Sequence, residues 1–312
     1  AYGAGGNLRL ARCHDLYCNS VTVNTIDSDP LTDRWKSLAL DGSGYPVISY
    51  YDGTNDELKV AHCVDATCEA AASIEVVDTD GDTGAYNSMV LDASGYPVIA
   101  YTDYKNFNLK VAHCDDANCV STSIETAATG QFTGEYTSIA LDAAGYPVVA
   151  FYHDQISNKL RLAHCSDADC AGTVTVNDVD TGPLVGQAAS MRLDASGNPV
   201  IAYSASVVDG LRVAHCDDAD CASASIEVVA DGFGPPFSLV LDASGYPMVA
   251  CRGADNDLEL VVCHDADCTS ATLYPIDVRA GAGQGTSMAL REGFPIVAHY
   301  NLTEVSLEIV FP

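Results

Sequence analysis

Basic side chains are scarce in this chain: 14 Lys and Arg stand against 43 Asp and Glu over 312 residues, a net charge of −29. A surface this acidic repels nucleic acid and anionic membranes, so neither is expected as a partner. No run of about 20 apolar residues occurs, so no membrane span is expected. Helical 3.6-residue periodicity is missing throughout, which excludes helical solenoids. P-loop, nucleophile-elbow and zinc-protease motifs are absent. A single tryptophan disfavours a lectin with one tryptophan in every repeated site. Ala1 is not preceded by a charged-then-apolar leader, so a secreted form would already have lost its signal peptide.

What the chain does have is repetition. Twelve of its thirteen cysteines form C-x4-C pairs: Cys13/Cys18, Cys63/Cys68, Cys114/Cys119, Cys165/Cys170, Cys216/Cys221 and Cys263/Cys268. The first members are 50, 51, 51, 51 and 47 residues apart. That spacing fits neither zinc ribbons nor haem attachment. Each pair brackets a short polar turn, where two antiparallel strands can bring the Cα atoms to disulfide distance. Six disulfides imply an oxidising compartment, hence an extracellular or cell-surface protein. The thirteenth, Cys251, stands where other repeats carry Tyr50, Tyr101, Phe151 and Tyr203, and is expected to fill that slot as a buried hydrophobe.

In step with the cysteines runs Asp41-Gly-Ser-Gly-Tyr-Pro46, echoed from Asp92, Asp142, Asp194 and Asp242. Each copy is a turn between two short strands, and a third and fourth strand flank the cysteine turn. Four antiparallel strands per 50 or so residues is a propeller blade. The chain opens with third- and fourth-type strands and closes with first- and second-type ones. A single domain over 1–312 is therefore expected: an all-β, six-bladed β-propeller of four-stranded antiparallel blades, its ring closed by N- and C-terminal strands sharing one blade. One further strand pattern, Asn301 to Val310, is then spare.

The D-x-S-G-[YN]-P-V-[IV]-A-Y strand pair followed by L-K-V-A-H-C resembles tandem β-propeller repeats of secreted bacterial proteins. That resemblance covers essentially the whole chain and speaks to fold rather than chemistry. The Asp-Ala-Ser-Gly turn is loosely similar to the Asp-box of sialidases, without its S-x-D-x-G-x-x-W order. Sialidase activity would also need an arginine cluster and a Tyr/Glu pair, and the nine arginines form no visible cluster.

Three sets of residues are candidates for binding. Trp35, Tyr86 and Tyr136 share one repeat position before the first strand, and could stack on sugar rings or pack between loops. Asp78, Asp80 and Asp82 alternate around Gly81 like the start of a calcium loop, without the closing glutamate; no cofactor is required, and Ca2+ is the one ion considered. His62, His113, His164 and His215 recur in the third strand, where packing between blades is expected rather than ligation. His153-Asp154 is the one obvious His/Asp doublet expected on the loop face, opposite the cysteine turns. The sequon at Asn301 would count only in a glycosylating host.

With repeats so alike, the leading expectation is a non-catalytic structural or interaction scaffold that engages other proteins or itself, with the spare C-terminal strand as its means of assembly. The alternatives are a carbohydrate-binding, lectin-like propeller with glycans as partners, and a glycan-active hydrolase.

Overall fold

The computed structural model describes residues 1–15, 17–32, 34–70, 72–130, 133–153, 158–205 and 210–311. Among these, 26 strands form seven antiparallel sheets in a β-propeller arrangement. The first sheet joins β1 (Tyr2–Ala4), β2 (Asn7–Cys13) and β3 (Val21–Asp27). The second joins β4 (Lys36–Leu40), β5 (Pro46–Asp52), β6 (Glu57–His62) and β7 (Ser73–Asp78). The third is β8 (Thr83–Leu91), β9 (Pro97–Asp103), β10 (Asn108–Cys114) and β11 (Thr122–Ala128). The fourth comprises β12 (Thr133–Leu141), β13 (Pro147–His153), β14 (Lys159–Cys165) and β15 (Val174–Asp180). In the fifth are β16 (Val185–Leu193), β17 (Pro199–Ala205), β18 (Leu211–Cys216) and β19 (Ala224–Ala230). The sixth holds β20 (Gly234–Leu241), β21 (Pro247–Arg252), β22 (Leu258–Cys263) and β23 (Ala271–Asp277). The last has β24 (Gln284–Arg291), β25 (Phe294–Asn301) and β26 (Ser306–Val310).

The expected six blades are thus corrected to seven sheets, because the terminal strands do not share one. The segment read as spare is β26, which pairs with β25 from Val297↔Val310 to Asn301↔Ser306. At the other end β1 folds onto β2 through Gly5-Gly6, both at positive φ, a turn whose twist suits a two-residue hairpin. Both pairings close short loops, at far less entropy cost than joining the two ends of the chain. Local hairpins fill the edges that the ring-closing strands would have used.

The described residues fall into two compact units, with 1–149, 153 and 163–175 in the first and 150–152, 158–162 and 176–311 in the second. Within each, neighbouring sheets pack face to face. In the first unit Val47, Leu58 and Val60 meet Met89, Ile99 and Tyr101; in the second Val200, Leu211 and Val213 meet Phe237, Leu239 and Val249. The second strand of a repeat is covered on both faces, which is why β5, β9 and β17 are buried from end to end and read as apolar runs rather than alternations.

Repeated polar contacts hold the register. The serine near the start of one first strand accepts the backbone N–H of the next: Ser37 from Met89, Ser88 from Ile139, Ser190 from Leu239 and Ser238 from Met288, at 2.8–3.3 Å.

The six expected disulfides are present: Cys13–Cys18, Cys63–Cys68, Cys114–Cys119, Cys165–Cys170, Cys216–Cys221 and Cys263–Cys268, with Cα separations of 4.7–5.0 Å. Their placement differs from the expectation that each would join two facing strands. Cys13 is opposite Val21, Cys114 opposite Thr122, Cys216 opposite Ala224 and Cys263 opposite Ala271. The second cysteines, Cys18, Cys68, Cys119, Cys170, Cys221 and Cys268, lie inside the turn before the fourth strand, at φ 51–58°. The N–H of each donates to the carbonyl of the aspartate three residues earlier, at 3.1–3.3 Å. The turn curls back and delivers the sulfur before the chain reaches the facing strand. Each bridge therefore locks a left-handed turn residue to the end of the third strand.

Cys251 is free and fully buried in the aromatic slot; burial, reinforced by the charges of Glu259 and Asp257, pushes its thiol well up. No helix among the described residues is long and apolar enough to cross a membrane.

Candidate functional site

The chain departs from extended geometry just before the first strand of the second sheet and inside the first strands β8 and β12 of the third and fourth. Trp35, Tyr86 and Tyr136 all take positive φ, at 34°, 50° and 52°, a conformation that costs bulky side chains of order 1 kcal/mol. Side chains of the following repeat hold it in place. Asn87 Nδ2 donates to the Trp35 carbonyl at 2.7 Å, while Ser49 donates to Asn87 Oδ1 at 2.7 Å. Thr137 donates in the same way to the Tyr86 carbonyl. Gly84 lets the bulged strand touch its neighbour, since a Cβ there would lie 2.8 Å from the Leu58 backbone.

The bulges bring the three aromatics into a ribbon. Ring centroids are 4.9 Å apart for Trp35 and Tyr86 and 4.5 Å for Tyr86 and Tyr136; Tyr51 meets Trp35 edge-on at 5.3 Å, and Tyr104 meets Tyr86 at 6.3 Å. Beside this ribbon is a hollow of about 310 Å³, lined by Leu31, Arg34, Trp35, Tyr51, Gly53, Asp82 and Tyr104. Such an aromatic wall with a few polar groups is the usual make-up of a small-molecule site.

The polar groups converge on one hydroxyl. Tyr51 donates to Asp56 Oδ1 at 2.6 Å and also faces Asp82 Oδ1 at 3.3 Å. Asp56 comes from the turn after β5 and Asp82 from the loop before β8, and the Thr83 N–H to Asp56 carbonyl bond ties the two segments together. Partial burial raises the Asp82 carboxyl above the ordinary value, and the charges of Asp56 and Asp103 add to it against the Tyr51 hydrogen bond. The Tyr51 phenol is also pushed up, by burial first and then by its two carboxylate neighbours. It is a neutral bridge between two acids, one of which holds its proton unusually well.

Asp82 therefore separates from the residues it was grouped with. Asp78 accepts from Tyr101 at 2.7 Å and Lys110 at 3.1 Å, and Asp80 pairs with Lys105 at 3.0 Å. The first two carboxylates of the calcium-like stretch are held by lysines, whereas Asp82 faces the hollow. The recurrent histidines tie sheets together. Each Nε2 meets its own Asp turn: His62 with Asp41, His113 with Asp92, His164 with Asp142 and His215 with Asp194, at 3.0–3.3 Å. For three of them Nδ1 reaches the next cysteine turn, at Asn118, Asp169 and Asp267. His153 meets Thr133; its neighbour Asp154 lies outside the described residues. Asn301 is buried and caps its own turn through Thr303 and Glu304 N–H.

Sequence reasoning passed over Tyr51, Asp56 and His299. Asp56 occupies a left-handed turn position (φ 59°) that other repeats fill with Phe107, Asn158, Asn256 and Val305. Departure from the repeat was the available signal. A second such departure groups Asp277, His299 and Glu308 closely enough to hold a metal ion.

No family model matches the chain, and no curated protein does either. Solved structures share its fold. A Dyadobacter fermentans protein of unknown function is 14% identical at a TM-score of 0.62, covering 89% of this chain and 93% of its own. The Hadza microbial sialidase Hz136 is 12% identical at 0.62, covering 94% and 72%. The α-L-arabinofuranosidase Arb93A of Fusarium graminearum is 9% identical at 0.61, covering 98% and 96%. The expectation of a non-catalytic, self-assembling scaffold is corrected on two grounds. Its assembly strand pairs with β25 within its own sheet, and the solved structures that share the fold include glycan hydrolases.

Proposed function

We propose that the protein acts on glycans outside the cell, binding a saccharide against Trp35 and Tyr51 and hydrolysing a glycosidic bond with Asp82 and Asp56. The observation that carries this reading is the pair of carboxylates on one tyrosine hydroxyl at an aromatic-walled hollow. The two hydrogen-bond distances cap the separation of those oxygens at about 6 Å, near the 5–5.5 Å over which paired carboxyls serve as acid and nucleophile in retaining glycosidases. Asp82, with its raised value, is the general acid that protonates the leaving oxygen. Asp56 is the partner that attacks or stabilises the sugar cation. Tyr51 positions both. Arg34 is the one arginine of the lining, so the hollow does not match the arginine cluster that a sialidase site would require. The six disulfides support the extracellular setting.

The test is hydrolysis of a panel of aryl glycosides and oligosaccharides by wild type, Asp82→Asn and Asp56→Asn. Both positions have left-handed backbone (φ 51° and 59°), which asparagine tolerates, so the variants should fold. Each should lose about 10²- to 10⁴-fold in kcat. Activity should fall on the alkaline side as Asp82, raised by burial, loses its proton, and Asp82→Asn should abolish that limb. Equal activity in wild type and both variants would refute the assignment. Glycan binding without any turnover would move the protein to the carbohydrate-binding reading, for which the Trp35, Tyr86 and Tyr136 ribbon is the supporting observation.

A further inference from the structure

Three repeats carry the same buried trio. The strand before the repeat ends in an aspartate, the second strand offers a tyrosine hydroxyl, and the third strand offers a cation: Asp27, Tyr50 and Lys59; Asp78, Tyr101 and Lys110; Asp180, Tyr203 and Arg212. The last repeat keeps the aspartate, Asp277, but changes both partners. His299 pairs with Glu308 across β25 and β26, as Tyr50 pairs with Lys59 across β5 and β6. A cation has become a carboxylate and a phenol has become an imidazole, which is a change from a closed ion pair to a set of ligands.

We infer that Asp277, His299 and Glu308 form a site for a divalent transition-metal ion of the zinc type. The ligand atoms, Asp277 Oδ2, His299 Nε2 and Glu308 Oε2, lie within 4.8 Å of one another. Nε2 is 3.3 Å from the aspartate and 3.6 Å from the glutamate. A tetrahedral ion with bonds of about 2.0–2.1 Å sets its ligands about 3.3–3.4 Å apart. An independent observation comes from the imidazole. His299 is fully buried, yet Nε2 has no hydrogen-bond partner and faces the gap between the two carboxylates. One nitrogen with two carboxylate oxygens suits zinc better than calcium, which prefers six to eight oxygens.

Without metal, Arg279 takes the ion's place. Its guanidinium donates to Asp277, Glu304 and Glu308, and its side chain is 48% exposed, so it can leave toward water. The Gly283 N–H donates to Nδ1 at 3.2 Å, which leaves the neutral ring's proton on Nε2. Binding therefore moves one proton: Nε2 releases it to solvent, Nδ1 takes one up, and the Gly283 bond is given up. The charged guanidinium goes to solvent, and no net proton is released by the histidine. The ion would clasp the end of β23 to the last hairpin.

The experiment is calorimetric titration of EDTA-stripped full-length protein with Zn2+, with Mg2+ and Ca2+ as controls, and a thermal melt alongside. One Zn2+ per chain and a raised melting midpoint are expected in wild type. Arg279→Ala removes the competitor and should bind about tenfold tighter or more, while Glu308→Gln should bind about 10- to 100-fold weaker. His299→Ala should lose the site; because His299 is buried, the half-exposed Arg279 variant keeps the test valid if that protein does not fold. Absence of Zn2+ binding by both wild type and Arg279→Ala, or unchanged affinity in Glu308→Gln, overturns the assignment. None of these readouts depends on glycan activity.

Discussion

Tyr101 is fully buried and gives its hydroxyl to the Asp78 carboxylate, which also holds the Lys110 ammonium. Burial, then the charges of Asp78 and its neighbours, keeps the phenol firmly protonated. Tyr101→Phe should cost about 1.5–3 kcal/mol, the worth of a hydrogen bond to a charged group. The double variant with Asp78→Ala should cost less than the sum of the two singles. Denaturant unfolding of the four proteins measures this, and additive losses would show that the pair is not coupled. The chain has made a related change itself: where the preceding strand ends in Ala128 or Ala230, the next repeat carries Phe151 or Cys251, with no hydroxyl to satisfy. At this scale the sequence was readable wherever one repeat could be compared with another, as the Cys251 slot and the shared position of Trp35, Tyr86 and Tyr136 were. It was opaque for the hollow, because Tyr51, Asp56 and Asp82 meet only when two neighbouring repeats pack.

The turn that begins at Asp41, Asp92, Asp142, Asp194 and Asp242 is a small device of its own. Oδ1 of each aspartate accepts backbone N–H groups two and four residues on, at 2.7–2.9 Å, and a glycine at positive φ completes the turn. In Asp41, Asp142 and Asp194 burial raises the carboxyl, but the backbone N–H bonds and the histidine together outweigh it and leave the value below normal. A carboxylate depressed in the folded protein contributes stability that is whole above its unfolded value, about 3.9, and lost as pH falls through the folded one. Urea midpoints should thus hold from pH 6 to about 4 and drop below it. Asp142→Asn should flatten part of that drop, and an unchanged acid profile would exclude this turn as its source. These turns, their flanking strands and the cysteine pairing were legible from spacing alone. The left-handed seat of the second cysteine, at Cys119 for instance, was not, because spacing gives a loop's length and not its path. Nor was the number of sheets. A strand pattern says that a segment can pair, and only loop lengths and competing edges decide with what, so β1 was not foreseen and β26 was read as spare.

Across the whole molecule the imbalance of 43 acidic against 14 basic side chains leaves most carboxylates without a cation. Among the described residues several of the paired ones gather around the cations of the repeated trios, where Lys59 is buried and Lys110 half-buried against the buried Asp52 and Asp103. The remaining surface repels itself over about 10 Å at 0.1 M salt. Added sodium chloride should therefore raise the melting midpoint by a few degrees between low and physiological ionic strength, and a falling midpoint would mean that the buried pairs dominate instead. The serines that bond one first strand to the next have a consequence of another kind. They make neighbouring repeats interlock at a fixed offset, so a gene of this sort can grow or shrink by whole repeats but hardly by single residues within a strand. Novelty is left to the loops. One pair of loops can drift into chemistry while its sister repeats go on carrying the frame, and a nearly uniform chain can thereby end up with a front that is used and a remainder that is not.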